Sequence, residues 1–271
     1  MKESQSETFE NAPLIEVALS VQFQPLHQFT SAHAGEFWQQ IKVDFPSSQD
    51  QNPLPPIGEF FGQIRGIPSS QTFAIQIGTG GIRNWFTTTD GSYLLQLQRD
   101  RFALNWRKTS PSASYPRYPV IKRKFLELFE NFQTFLKMAE LGGCDINIHE
   151  VTYINQWMLN VDQKIDDGLG TWLRLAPKNV ADLEMESANI GAQYLVKAEN
   201  SSPIGRLYVN VAPTLGAKGE QGINLELTCR IIQFDNSPTK QFLPMDLARK
   251  NIVTTFKQIT SDSAQKVWRG E

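Results

Sequence analysis

The sequence predicts an α+β fold in which antiparallel β-meanders carry long helices packed on one face. Three observations support this prediction. Short segments alternate apolar and polar residues, which is the period-2 pattern of a strand with one buried face. Turn residues separate several consecutive segments of this kind, as in antiparallel meanders. Longer segments repeat apolar residues at three- and four-residue steps, which predicts amphipathic helices.

The N-terminal half is predicted to contain a strand, a helix, a meander and a second helix. Asp90-Gly91 predicts a two-residue hairpin turn, because both residues tolerate positive φ. Residues 46–71 contain five prolines and are predicted to form a long surface loop. The predicted elements are strands at residues 17–23, 73–77, 83–89, 92–98 and 101–108, and helices at residues 37–45 and 121–139, the second stopped by Gly142-Gly143.

The C-terminal half starts a similar order again, with a strand, an intervening segment, three strands and a helix. Strands are predicted at residues 150–158, 190–198, 205–212 and 223–234, and a helix at residues 245–259. Ser261-Asp262 is predicted to cap a last short helical piece that ends near Trp268. The halves, residues 1–142 and 143–271, are expected to pair their sheets in one compact unit. Identity between them is slight, so both a duplication and a chance similarity of order stay open.

Composition limits the classes of partner. The net charge of −2 and the pI near 6.0 give no overall basic field for nucleic acid or an anionic membrane. Only Cys144 and Cys229 are present, which favours a reducing compartment. The first ten residues lack signal-peptide features, and no run of about 18 apolar residues occurs. We therefore predict a cytoplasmic protein with no membrane partner.

Several short motifs resemble those of a sporadically distributed family of uncharacterised prokaryotic proteins. The opening motif Asn-Ala-Pro-x-x-Glu-Val spans residues 11–17. The resemblance extends through Asp90-Gly91, residues 96–107, Tyr118, residues 153–155, and the closing Phe256, Thr260 and Trp268. It carries no activity to transfer. The patchy distribution of the family implies a mobile context, such as defence or toxin–antitoxin islands.

Catalytic and metal-binding motifs are not found in the sequence. The histidines are His27, His33 and His149, and no HExxH or paired CxxC spacing occurs. No GxSxG motif is present. The glycines at residues 78–81 precede a predicted strand rather than a helix, and Asp166-Asp167 is expected to lie in a solvated loop. No cofactor or metal is predicted.

A basic cluster occupies residues 99–124, with Asp100 as its single acid. Lys122, Arg123 and Lys124 are predicted to fall in the first turn of the long helix, where the helix dipole disfavours cations. A solvated face and contact with an anionic partner both explain this cluster. The cluster comprises Arg99, Arg101, Arg107, Lys108, Arg117, Lys122, Arg123 and Lys124.

The polar face of the predicted sheet is the second candidate. Alternation places Arg101, Asn105 and Arg107 opposite an apolar row, and likewise Arg206, Tyr208 and Arg230. Arginine and tyrosine are frequent anchors in interfaces. Antiparallel sheets also commonly leave one face in water, so this alternative stays open.

These observations favour a non-enzymatic binding or assembly protein, whose partner is another protein or a second copy. The predicted binding residues are Arg101, Asn105, Arg107, Lys122, Arg123, Lys124, Arg206, Tyr208 and Arg230. One alternative is a hydrolase of nucleotides or nucleic acid that uses scattered polar residues, first Asp90, Arg101, Arg107, Glu226 and Arg230. The other is a nucleic-acid-binding module that uses the basic cluster.

Overall fold

The computed structural model describes residues 11–62, 82–159, 165–174, 185–216, 219–234, 237 and 239–270. The predicted strand at residues 73–77 and the glycines at residues 78–81 lie outside these ranges. The elements are β1 Leu14–Phe23, α1 Ser31–Ile41, β2 Ser47–Gln51, β3 Arg83–Thr87, β4 Tyr93–Gln98, β5 Arg101–Arg107, α2 Tyr118–Met138, β6 Ile146–Met158, α3 Ile165–Trp172, β7 Ile190–Lys197, β8 Pro203–Leu215, β9 Gln221–Ile232, α4 Leu243–Ile259 and α5 Asp262–Arg269.

One antiparallel sheet contains all nine strands of the described residues, which confirms the predicted α+β class. Its strand order is β2-β3-β4-β5-β1-β6-β9-β8-β7. The central pair, β1 and β6, joins the first half of the chain to the second. Three strands follow on the outer side of each central strand, and β2 adds a fourth on one side.

Aromatic side chains fill the core between β5 and the helices. Phe102 contacts Phe125, Phe129 and Phe132 of α2 at ring-centroid distances of 5.7, 5.3 and 5.5 Å. Phe37 of α1 packs edge-on against Phe132 at 5.2 Å. These rings are almost fully buried, so the long helix is stabilised chiefly by this packing rather than by its own propensity.

The ends of α2 differ from the prediction. The helix begins at Tyr118, so Lys122, Arg123 and Lys124 follow its first turn rather than occupying it. It ends at Met138, one residue before the predicted end, but the stop is Glu140 with φ 56° rather than Gly142-Gly143, and the Leu141 N–H donates to the Leu136 carbonyl at 2.9 Å. This is a Schellman-type end, in which a residue other than glycine adopts the left-handed conformation.

One predicted turn and two predicted loops also differ. The β3–β4 loop is longer than the predicted two residues, since the last bond before it joins the Thr88 N–H to the Tyr93 carbonyl at 3.1 Å. Gly91, with φ 70°, supplies the left-handed residue of this loop. Strand β2 lies within the segment predicted to be irregular, and α3 covers the predicted Asp166-Asp167 loop. Pairing with β3 holds the polar β2 sequence as a strand.

No helix in the described part of the chain is long and apolar enough to cross a membrane.

Candidate binding site on the polar sheet face

Strand register gathers polar residues from both halves of the chain on one sheet face. One transverse row runs Gln96, Ala103, Ser20, Glu150, Arg230 and Arg206 across six adjacent strands, β4-β5-β1-β6-β9-β8. A neighbouring row pairs Gln98, Arg101 and Gln22. The register thus brings Arg101 of the first half and Arg230 and Arg206 of the second half to the same face.

Residues 52–62, which we call the strap, lie across this face. Gln22 accepts a hydrogen bond from the Ile57 N–H at 2.6 Å and donates one to the Ile57 carbonyl at 2.9 Å. Gln98 forms the same pair of bonds with Leu54, at 2.8 and 2.9 Å. Each carboxamide therefore satisfies both backbone groups of one strap residue, as a neighbouring strand would.

Arg101 supports the strap from below. Its Nη2 donates to the Pro55 carbonyl at 3.0 Å and to the Gln22 side chain at 3.2 Å. Only 6% of Arg101 is exposed, so this predicted binding residue lies beneath the strap rather than on an open surface. Burial lowers the pKa of Arg101, although Glu150 and Asp100 oppose that shift.

Glu59 anchors the far end of the strap. Its fully buried side chain forms an ion pair with Arg206 of β8 and accepts a 2.6 Å hydrogen bond from the Tyr208 hydroxyl. Nη1 of Arg230, on β9, lies 3.8 Å from Oε1 of Glu59. We call Glu59 with these three partners the Glu59 site. Three of the nine predicted binding residues therefore converge on one carboxylate.

The surroundings of the Glu59 site hold its cations in place. Arg206 Nη2 also donates to the Phe60 carbonyl, and its guanidinium stacks on the Phe61 ring at 5.1 Å. Burial alone would lower the pKa of Arg230, but the 2.6 Å hydrogen bond to Glu150 and the nearby acids outweigh it and raise the pKa. Arg230 stays charged and bridges two carboxylates.

A cavity of about 60 Å³ remains between the strap and the sheet. Its floor consists of small side chains, whose size leaves the space open. Polar side chains and Leu54 of the strap form the rest of its lining. The lining residues are Ala18, Ser20, Leu54, Arg83, Gln96, Gln98, Arg101, Ala103 and Glu150.

The basic cluster does not form one surface in the structure. Lys122 forms an ion pair with Asp246 at 2.7 Å, and Lys124 lies over the Tyr93 ring at 5.2 Å. Arg123 is exposed, whereas Arg101 is buried under the strap. The cluster divides because Phe102 faces α2, so the alternating neighbour Arg101 lies on the opposite side of β5.

The other predicted residues of β5 have local partners. Asn105 donates to Glu16 at 2.5 Å and accepts from Gln96 at 2.8 Å. Arg107 pairs in register with Glu16 and is half-buried. These contacts place Asn105 and Arg107 on the strap-covered face, but no described bond joins them to the strap.

Asp90, a candidate of the hydrolase alternative, caps the β3–β4 loop. Its carboxylate accepts hydrogen bonds from Thr88 at 2.7 Å and from the Ser92 N–H at 3.0 Å, which lower its pKa to about 2. Glu226 lies on β9 and accepts a 3.2 Å bond from Thr228. Among the described residues, no group of three or more His, Cys, Asp or Glu side chains could hold a metal ion.

Sequence reasoning missed the residues that hold the strap: Glu59, Gln22 and Gln98. The prolines correctly indicated a segment without regular structure over residues 52–62. No local pattern could have identified its docking site, because Glu59 lies 147 residues before Arg206.

No protein-family model matches the chain, and no curated protein sequence is significantly similar to it.

His149 is a buried titratable group on the other side of the sheet, and it predicts how stability depends on pH. Its Nε2 contacts Gln233 at 2.6 Å, and burial lowers its pKa to about 4. The unfolded chain therefore binds this proton first as the pH falls. We expect the free energy of unfolding to decrease by about 3 kcal/mol between pH 6.5 and 4 through this group, with the full contribution present above pH 6.5.

Chemical denaturation at several pH values tests this expectation. The difference in the free energy of unfolding between wild type and His149→Gln should decrease by that amount as the pH falls over the same range. His27 is exposed, so His27→Gln is the matched control and should leave the wild-type slope unchanged. Parallel pH profiles for wild type and His149→Gln would contradict the assignment.

Proposed function

We propose that this chain is a non-enzymatic binding protein that holds an extended, acidic segment of a partner protein on the polar face of its sheet. The Glu59 site is the observation that carries this proposal. It buries a single carboxylate completely and meets it with Arg206, Tyr208 and Arg230. In the free chain the strap occupies this face as an internal ligand.

The way in which the strap is held supports recognition of a peptide. The bonds from Gln22, Gln98 and Arg101 all reach backbone atoms of the strap. Backbone contacts of this kind accept many sequences, while a charged pocket selects one side chain. A partner segment with a glutamate at the position of Glu59 would reproduce both kinds of contact.

The arrangement of the helices supports the same proposal. Phe102 contacts α2 and Trp157 contacts Trp268 of α5, and both residues lie on the sheet face opposite Arg101 and Glu150. We infer that the long helices cover one face and leave the other for ligands. The symmetrical strand order about β1 and β6 supports two pseudo-repeated halves that both contribute to this face.

Peptide titration with the full-length protein tests the proposal. The probe is a fluorescent peptide with the sequence of residues 52–62, and the readout is its fluorescence anisotropy. In the wild-type chain the tethered strap competes at an effective concentration in the millimolar range. Glu59→Gln removes the buried charge and weakens the binding of the strap to the sheet. We therefore expect the peptide to bind this variant at least about tenfold more tightly than it binds the wild type.

Two comparisons control this experiment. A peptide with glutamine in place of its glutamate should bind the Glu59→Gln variant about tenfold more weakly than the unmodified peptide binds the same variant. Glu127 is exposed on α2, and Glu127→Gln should behave as wild type. Equal affinity for both peptides would contradict carboxylate recognition. A concentration-dependent dimer in sedimentation would show that two copies exchange their straps. The bound segment would then come from a second copy rather than from a partner protein.

The nucleic-acid alternative has less support, because Arg101 lies under the strap and Lys122 is paired with Asp246. The association with mobile defence or toxin–antitoxin islands and the cytoplasmic location remain predictions.

A further inference from the structure

Arg101 is a buried cation that forms no ion pair with any of the described residues. No carboxylate oxygen of the described residues lies within 4.0 Å of its guanidinium. Its Nε is buried and makes no hydrogen bond within the described part of the chain. A buried guanidinium is ordinarily paired, because an unpaired charge loses its hydration without compensation.

The two acids that raise the pKa of Arg101 form their hydrogen bonds with other residues. Glu150 accepts a 2.6 Å hydrogen bond from Arg230, and Asp100 accepts a 2.6 Å bond from Gln98. Both raise the pKa of Arg101 through space, but burial still lowers it. The protein therefore surrounds Arg101 with incomplete charge compensation.

A second arginine with a spare donor lines the same cavity. Arg83 donates to Gln96 at 3.1 Å through Nη1, while its Nε is buried and has no hydrogen-bond partner among the residues that the structure describes. Burial and the charge of Arg101 both lower the pKa of Arg83. Two guanidinium groups therefore line one cavity and act on each other electrostatically, and an anion in the cavity would compensate the charge of both.

The size and lining of the cavity define the anion. Its 60 Å³ volume is well above the roughly 10–15 Å³ that a single water molecule needs, so it leaves room for the few heavy atoms of a carboxylate or phosphate group. Ser20 adds a hydroxyl with no described side-chain bond at the cavity floor. Glu150 also lines the cavity, but its salt bridge with Arg230 offsets its charge.

We propose that the cavity beneath the strap is a binding site for a compact oxyanion, the carboxylate or phosphate group of a small molecule, held between Arg83 and Arg101. This site is separate from the Glu59 site and does not depend on the proposed peptide binding. Because Arg101 also donates to the Pro55 carbonyl, a bound oxyanion would hold the strap closed.

Isothermal titration of the full-length protein tests this site. Inorganic phosphate and malonate are the two probes, with chloride balancing the ionic strength. We expect saturable binding of at least one probe, and an approximately tenfold loss of its affinity in Arg83→Gln. Arg123 is exposed on α2, and Arg123→Gln should bind within about twofold of wild type. Binding of phosphate alone or malonate alone identifies which of the two groups the site accepts.

A variant that keeps both arginines protects the test against misfolding. Ala103 lies on the cavity floor, so Ala103→Val fills part of the space without removing a charge. We expect this variant to lose oxyanion binding while it still unfolds in guanidinium chloride in the single cooperative transition of the wild type. Absence of saturable binding by the wild type, or equal affinity in Arg83→Gln and Arg123→Gln, would overturn the proposal.

Discussion

Arg206→Glu is expected to detach the strap from the sheet and expose it to protease. The substitution removes the ion-pair partner of buried Glu59 and places a second carboxylate beside it. Breaking a buried pair in this way costs about 3–5 kcal/mol, which would raise the population of an open strap by about 100-fold or more. Cleavage by chymotrypsin after Phe60 or Phe61, followed by mass spectrometry, measures that population.

Two further variants serve as comparisons for Arg206→Glu. Arg206→Lys keeps the charge but loses the planar fork that reaches both Glu59 and the Phe60 carbonyl, so an intermediate cleavage rate is expected. Arg123→Glu makes the same charge reversal on the exposed side of α2 and should leave cleavage unchanged. An unaltered cleavage rate in folded Arg206→Glu would show that Glu59 does not anchor the strap.

Phe102→Ala is expected to cost about 3–5 kcal/mol of unfolding free energy. Phe102 is fully buried, and its ring contacts three phenylalanines of α2 at 5.3–5.7 Å. Truncation removes those contacts and leaves a cavity that rigid neighbouring rings cannot fill. Such a loss is a large fraction of the stability of a typical domain.

Equilibrium unfolding in guanidinium chloride measures the effect of Phe102→Ala. Phe234 is 50% exposed, so Phe234→Ala makes the same chemical change at the surface and should alter stability by less than about 0.5 kcal/mol. A loss below about 1 kcal/mol for Phe102→Ala would mean that the α2–β5 contact is not the centre of the core.

Local periodicity was sufficient to predict much of the fold. The alternation of Phe102, Leu104 and Trp106 with Arg101 and Asn105 correctly assigned the two faces of β5. The spacing of phenylalanines likewise predicted the long helix α2. Both patterns follow from the geometry of one element, since side chains alternate along a strand and recur each turn along a helix.

Patterns within one segment failed where long-range contacts set the structure. The polar strand β2 exists because it pairs with β3, and its sequence carries little strand propensity of its own. The end of α2 at Met138 lies within one residue of the predicted end, but local reasoning named Gly142-Gly143 as the stop, whereas Glu140 is the left-handed residue that follows the helix. There the backbone bonds of the last turn determine the stop.

The sequence by itself determined the α+β class, the alternating faces of the central strands and the presence of Arg101, Arg206, Tyr208 and Arg230 on polar faces. Only the tertiary structure decided that these residues meet the strap. Glu59 and Arg206 are 147 positions apart, and Gln22 and Ile57 are 35 apart. Their contacts depend on sheet register and on the path of a proline-rich segment, neither of which a local pattern encodes.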